Sequence, residues 1–135
     1  MIKILRDSLI KKYFQFSGRA SRKEYWVVYL LGVFLCQVTF LLSLYYSNLV
    51  INNLYLILFF VFVLTPPFIA VSVRRLHDFN FNGWFILLFY LIDFLSEYFI
   101  TDTMMILIIS FLINSVLGFI QGTPGLNKYG EPPAE

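Results

Sequence analysis

Two short runs of this sequence hold most of its paired charge, and each mixes guanidinium groups with a carboxylate. The run from Arg19 to Trp26 contains Arg19, Arg22, Lys23 and Glu24, and the run from Arg74 to Trp84 contains Arg74, Arg75, His77 and Asp78. Guanidinium groups gathered around carboxylates can grip a phosphate or carboxylate through two parallel hydrogen bonds, and at a membrane surface the usual ligand is a lipid headgroup. The same charges can instead pair with one another and lock the base of a helix bundle, and spacing alone leaves both readings open. His77-Asp78 suggests general-base or metal chemistry. A metal site needs several more His or carboxylate ligands, and the sequence has one histidine. Adjacent residues on one element also point in different directions. No residue is therefore assigned to catalysis or to a metal. Asp78 is expected to cap or to pair, and His77 to hydrogen-bond near an interface.

A second pair is stranger. Asp93 and Glu97 are four residues apart inside an apolar run, so on a helix they share one face. Counted from Trp84, Asp93 lies about 14 Å into a hydrocarbon core about 30 Å thick. An unpaired charge there costs about 2.5–3.5 kcal/mol. The neutral groups that could meet it are Gln37, Thr39, Thr65, Asn114 and Ser115. Asp93 is then either a proton or cation step or a hydrogen-bonded structural group, with Glu97 nearer the outer surface. The single cysteine, Cys36, sits in an apolar stretch and reads as a small hydrophobe, which excludes a disulfide framework.

The elements that must position these residues follow from the composition. Of 135 residues, 59% are hydrophobic and 13% charged, with mean hydropathy +0.77. Soluble domains carry about 25% charged residues, and a chain of this size has too little interior to hide so much apolar surface from water. One membrane domain over residues 1–135 is expected, all-α, a polytopic four-helix transmembrane bundle with an N-terminal interfacial amphipathic helix. In residues 1–16, Ile2, Leu5, Leu9, Tyr13 and Phe16 recur at helical spacing, with Lys3, Arg6, Asp7, Lys11 and Lys12 around the remaining face. Such a helix lies in the headgroup region, packs on the base of its own bundle, or does both. Ser21 and Glu24 have the form of a capping box. The spans are expected at about 26–46, 54–73, 84–100 and 104–120, the second kinked by Pro66-Pro67. Short turns cover 47–53 and 101–103, and a polar tail covers 121–135. The first apolar run begins only at Trp26 and lacks a cleavage site, so it is expected to remain as a helix.

Basic residues set the orientation. Seven of the ten Lys and Arg residues precede the first span, two lie between the second and third, and one is in the tail. The positive-inside rule places both termini and the 74–83 loop in the cytoplasm. Antiparallel helices joined by short turns then bring the two charged runs to one depth.

The segments FSGRASRKEYW (16–26), RRLHDFNFNGW (74–84) and GTPGLNKYGEPP (122–133) resemble, in order and spacing, the signature blocks of the DUF805 family of small bacterial inner-membrane proteins of unknown function. The resemblance runs from about Tyr13 to Pro133 and implies a bacterial inner-membrane location with charged motifs at the cytoplasmic helix ends. Asn80 stands where that family usually has Gly and Asn82 where it has Ser. Asn tolerates a left-handed turn and caps helices well, so the turn should survive. Lys128 replaces a usual Arg and Leu126 a usual Pro, which weakens any bidentate role at 128. Asp93 and Glu97 match no block.

Three functions fit. First comes a membrane-embedded binding or scaffold module, with Arg19, Arg22, Glu24, Trp26, Arg74, Arg75, His77, Asp78 and Trp84 forming an anion or lipid-headgroup cluster. The alternative is a small proton- or cation-linked transporter using Asp93, Glu97 and Asn114. A lipid-modifying enzyme ranks third, since no phosphate loop, nucleophile–base pair or metal set is present. The expected partners are anionic membrane lipids, with a second copy or another membrane protein open as a further partner. No nucleic acid and no cofactor are expected.

Overall fold

The computed structural model describes residues 2–45 and 50–133, and over them the chain is helical, with no strands. Tyr46 and the first residues of the expected 47–53 turn lie outside the described residues, as do Ala134 and Glu135. Helix α1 covers Ile2–Arg6 and continues as a wider π-turn over Asp7–Lys11. It stops earlier than the expected 1–16 because Lys12 and Tyr13 turn inward to partners in the bundle. Ser8, on its inner face, is buried, whereas Ile2, Ile10 and Phe14 face outward.

Helix α2, Arg22–Tyr45, starts at the expected cap. The Ser21 hydroxyl accepts the Glu24 amide at 3.1 Å. The reciprocal half of the capping box is missing, because the Glu24 carboxylate turns inward to basic partners. Helix α3, Val50–Asp78, is longer at both ends than the expected 54–73. Arg74, Arg75 and Asp78 continue the helical rows begun by Ala70 and Val71, and because their charges are paired they do not stop the helix. Pro66 and Pro67 lie inside it. Pro67 has no N–H for the Val63 carbonyl, and the Tyr13 hydroxyl donates to that oxygen at 2.7 Å instead.

The turn after α3 depends on two asparagines. Asn80 sits in the left-handed region at φ 66°, and the Asn82 side chain accepts from the Trp84 amide. A 3-10 turn, Gly83–Phe85, leads into α4, Ile86–Phe99. Asp102 caps α5, Thr103–Phe119, by accepting from the amides of Met104 and Met105.

The buried apolar core lies toward the charged ends of the helices: Ala20, Tyr25, Val28 and Tyr29, with Val71, Leu76, Ile86 and Leu117. Tyr29 stacks on both Phe68 and Phe111, tying α2 to α3 and α5. At 1.5 Å per residue, α2 and α3 reach about 36 and 44 Å, and α4 and α5 about 21 and 26 Å. Among the described residues no helix is both long and apolar enough to cross a membrane. Outside the core the surface is strongly apolar: Phe62 is 80% exposed, Tyr98 76% and Phe99 75%.

Candidate functional site

The chain crosses the charged end of the bundle three times, and the three crossings meet there around two carboxylates. Asp78, at the last turn of α3, accepts from Arg19 Nε at 2.8 Å and pairs with Arg19 Nη2 at 2.7 Å through Oδ1. Its Oδ2 takes Nη1 of Arg75, one helical turn earlier. Glu24, in the first turn of α2, pairs with Arg74 at 2.7 Å and Lys12 at 3.3 Å and accepts from the Ser8 hydroxyl at 3.0 Å. Arg19, Glu24, Arg74, Arg75 and Asp78 are all buried. Burying a charge is tolerable only when it is paired and hydrogen-bonded, and removing one partner of such a pair costs about 3–5 kcal/mol.

Arg75 does more than pair. Its Nε donates to the Leu117 carbonyl at 2.9 Å, its Nη2 to the Ile120 carbonyl, and its Nη1 also to the Ala20 carbonyl at 3.2 Å. A helix leaves its last carbonyls without intrahelical donors and ends with a partial negative charge. Arg75 therefore caps the C-terminal end of α5 with a cation. Burial lowers the Arg75 pKa from its ordinary value, and the Asp78 carboxylate opposes that shift. Trp26 Nε1 donates to the neighbouring Gly118 carbonyl at 3.1 Å. A side chain at Gly118 would collide with the indole ring.

The polar tail is a docked strap. Arg19 donates to the carbonyls of Thr123 and Gly125, both at 2.6 Å. The Thr123 amide and hydroxyl donate to the Asp78 carbonyl at 2.8 and 3.0 Å, and the Asn127 side chain donates to the His77 carbonyl at 3.0 Å. The strap thus supplies donors to carbonyls at the end of α3. A Cβ at Gly122 would overlap the Asp78 carboxylate. The His77 ring stacks on Tyr129 with centroids 3.7 Å apart, and its Nδ1 lies 3.1 Å from the Gly18 carbonyl. Facing a carbonyl, Nδ1 carries the proton. Burial pushes the His77 pKa below its ordinary value. His77 and Asp78 do point in different directions.

The remaining expected site residues lie elsewhere. Arg22 and Lys23 are exposed at the start of α2. They border an open groove of about 470 Å³ floored by Trp26, Gly118 and Phe119. Arg22 also lines a smaller space of about 120 Å³ beside Arg19, Arg75 and Asp78. Trp84 is 74% exposed, outside the clasp. Asp93, half-buried on α4, accepts from Ser110 Oγ at 3.0 Å and Asn114 Nδ2 at 3.1 Å. Glu97 is exposed. Thr39 and Thr65 hydrogen-bond to their own helices, so neither is the partner of Asp93.

Sequence reasoning did not anticipate the parts played by Ser8, Lys12, Tyr13 and Ser110. Ser110 was legible in principle, since it stands one turn before Asn114 on the same face. Tyr13 had a signal too, because two helical prolines require an outside donor. The strap's backbone contacts carried no residue-type signal beyond its membership of the third signature block.

Residues 13–131 match the model of a family described as protein of unknown function (DUF805). The chain is similar to inner membrane protein YhaI of Escherichia coli (strain K12), 31% identical over 126 residues that cover 93% of this chain and 92% of that protein. It is also similar to inner membrane protein YhaH of the same strain, 35% identical over 134 residues with the same coverage of both chains. No solved structure matches it.

Proposed function

The chain belongs to the DUF805 family, and from that membership we propose that it is a multi-pass protein of the bacterial inner membrane, a binding or scaffold module whose basic cytoplasmic end holds anionic headgroups. In this reading α2 to α5 cross the bilayer, with the shorter α4 and α5 thinning it locally, and both termini face the cytoplasm. Its support comes from the apolar surface outside the core, too extensive for water, from the asymmetry of basic residues, and from relatives named as inner membrane proteins.

The observation that carries the binding role is the division of labour among the basic residues. Arg19, Arg74 and Arg75 are buried in pairs with Glu24 and Asp78, while Arg22 and Lys23 stand at the surface beside an aromatic floor. Trp at the interface with Arg and Lys alongside is the arrangement that anchors a chain at headgroup depth. No catalytic step is part of this reading. Wild-type protein and an Arg22→Gln, Lys23→Gln variant, purified in mild detergent, test it by native mass spectrometry. The variant should fold and lose most of the co-purified anionic phospholipid. Equal retention by both would overturn the binding role.

A further inference from the structure

Gln37 places a neutral amide on the apolar outer face of α2. It stands eleven residues after Trp26, about 16 Å along the helix at 1.5 Å per residue. In the membrane reading above, that is near the middle of a core about 30 Å thick. Other polar groups of the apolar half are satisfied. Thr39 donates to the Leu35 and Cys36 carbonyls of its own helix, Thr65 to the Val61 carbonyl, and Asp93 accepts from Ser110 and Asn114. Among the described residues the Gln37 amide has no hydrogen bond. We propose that α2 pairs in parallel with α2 of a second copy of this chain, with the two Gln37 amides bonded to each other. The pairing rests on the membrane reading and names a partner within it.

The surroundings of Gln37 have the form of a helix–helix seam. Leu30, Phe34, Gln37 and Leu41 are all exposed and recur at spacings of four, three and four. On a helix they form one stripe, opposite the face through which Tyr25, Val28 and Tyr29 enter the core. Leu30 and Gln37 are seven residues apart, as are Phe34 and Leu41. That period keeps two helices in contact along a left-handed supercoil. A single polar residue in such a seam specifies the register and the number of strands. Lys23, on the same stripe at headgroup depth, confines the seam to the apolar part of α2.

Two features select a second copy as the partner. A carboxamide both donates and accepts, so two of them bond reciprocally. Lipid tails offer the amide no donor or acceptor, and leaving it unbonded there is costly. The second feature is orientation. The asymmetry of basic residues inserts every copy the same way round. The two-fold axis of a dimer then lies along the membrane normal, so identical helices run parallel and residue 37 meets residue 37 at one depth. A different protein would need an unpaired polar group of its own at that depth. A second copy brings one by symmetry.

The test is disulfide crosslinking of the full chain in membranes isolated from cells, with Cys36 replaced by Ser. Two cysteines join only when their Cα atoms lie within about 7 Å. Phe34→Cys and Leu41→Cys, on the stripe, should give dimers on oxidation, and Phe94→Cys, exposed on α4, should not. With Phe34→Cys as the reporter, Gln37→Leu should weaken association about threefold to tenfold, and Gln37→Asn, which keeps the amide, should weaken it less. No dimer at either stripe position, in a chain that resists alkaline carbonate extraction, would overturn this inference and leave the membrane reading standing. Extraction of the chain by carbonate would overturn both. Equal yields at Phe94→Cys and on the stripe would show random collision and overturn the seam. Undiminished crosslinking in Gln37→Leu would overturn the amide pair. An adduct of Phe34→Cys with a different protein, in place of the dimer, would overturn the second copy as partner.

Discussion

The two ends of this helical bundle solve opposite solvation problems. At the end where the three charged segments converge, the largest fully buried side chains include two arginines, Arg74 and Arg75. Toward the other end, Tyr98, Phe99 and Met104 stand open to the surroundings. In water this arrangement would be inverted. With lipid around the apolar half, it is the expected one, because helices in lipid gain little from burying apolar side chains and associate through packing and polar contacts. The charged end then does the work that a hydrophobic core does in a soluble domain. It joins α1 to α2 through the Glu24 carboxylate, and α2, α3, α5 and the strap through buried ion pairs and hydrogen bonds to backbone carbonyls that would otherwise lack donors.

If so, substitutions at the charged end should cost far more than those elsewhere. The largest loss is expected for Asp78→Asn, which leaves Arg19 and Arg75 buried without their counter-charge. About 3–5 kcal/mol should disappear in detergent melting. Arg75→Gln should cost a similar amount, and the double variant much less than the sum. Strictly additive losses would mean that the two groups act separately.

Two glycines give a sharper contrast. Gly122→Ala pushes a methyl group into the Asp78 carboxylate and should cost about 1–3 kcal/mol and loosen the strap. Gly32→Ala, in the middle of α2, meets nothing within 4 Å and should leave stability unchanged or raise it by up to about 1 kcal/mol. Equal effects at the two sites would erase the distinction between the ends.

Asp93 is the polar exception in the apolar half. Asp93→Leu strands the Ser110 hydroxyl and the Asn114 amide and should cost about 1–3 kcal/mol. Asp93→Asn keeps an acceptor and should be nearly neutral in melting. A folded Asp93→Asn protein that fails complementation would instead assign Asp93 to proton or cation movement.

The smallest effect expected is that of pH on His77. An unfolded histidine titrates near 6.5, and burial holds the folded one lower. Between the two values the unfolded chain binds more protons, so the His77 contribution is complete above about pH 6.5 and is lost as pH falls through the folded value. Melting temperature should drop modestly between pH 7.5 and 5.5, and His77→Gln should remove that part of the slope.

Much of this was legible in the sequence because it depends on period, charge and turn chemistry. As helices, the expected segments 84–100 and 104–120 lie within two residues of α4 and α5, since Asn82 caps the 3-10 turn that leads into α4 and Asp102 caps α5. That the two charged runs could pair with each other followed from their common depth, and Arg19–Asp78 and Arg74–Glu24 are such pairs. The choice of partners did not follow, because Arg19, Arg74, Arg75 and Lys12 are interchangeable cations until tertiary packing chooses among them. The end of α3 was misjudged for a related reason: a double arginine reads as a stop unless its counter-charges are known to be buried with it. The strap was illegible as structure, because it is held by its backbone and backbone groups are the same in every sequence.

In the proposed topology the charged end faces the cytoplasm beneath four membrane spans, and thiol labelling in intact cells tests that most directly. With Cys36 replaced by Ser, single cysteines at Asn80 and Thr101, both exposed in the structure, are offered an impermeant thiol reagent. Thr101→Cys should be labelled from outside, and Asn80→Cys only after the membrane is opened. Labelling of Asn80→Cys in sealed cells would put the charged end on the wrong side of the membrane and contradict that topology.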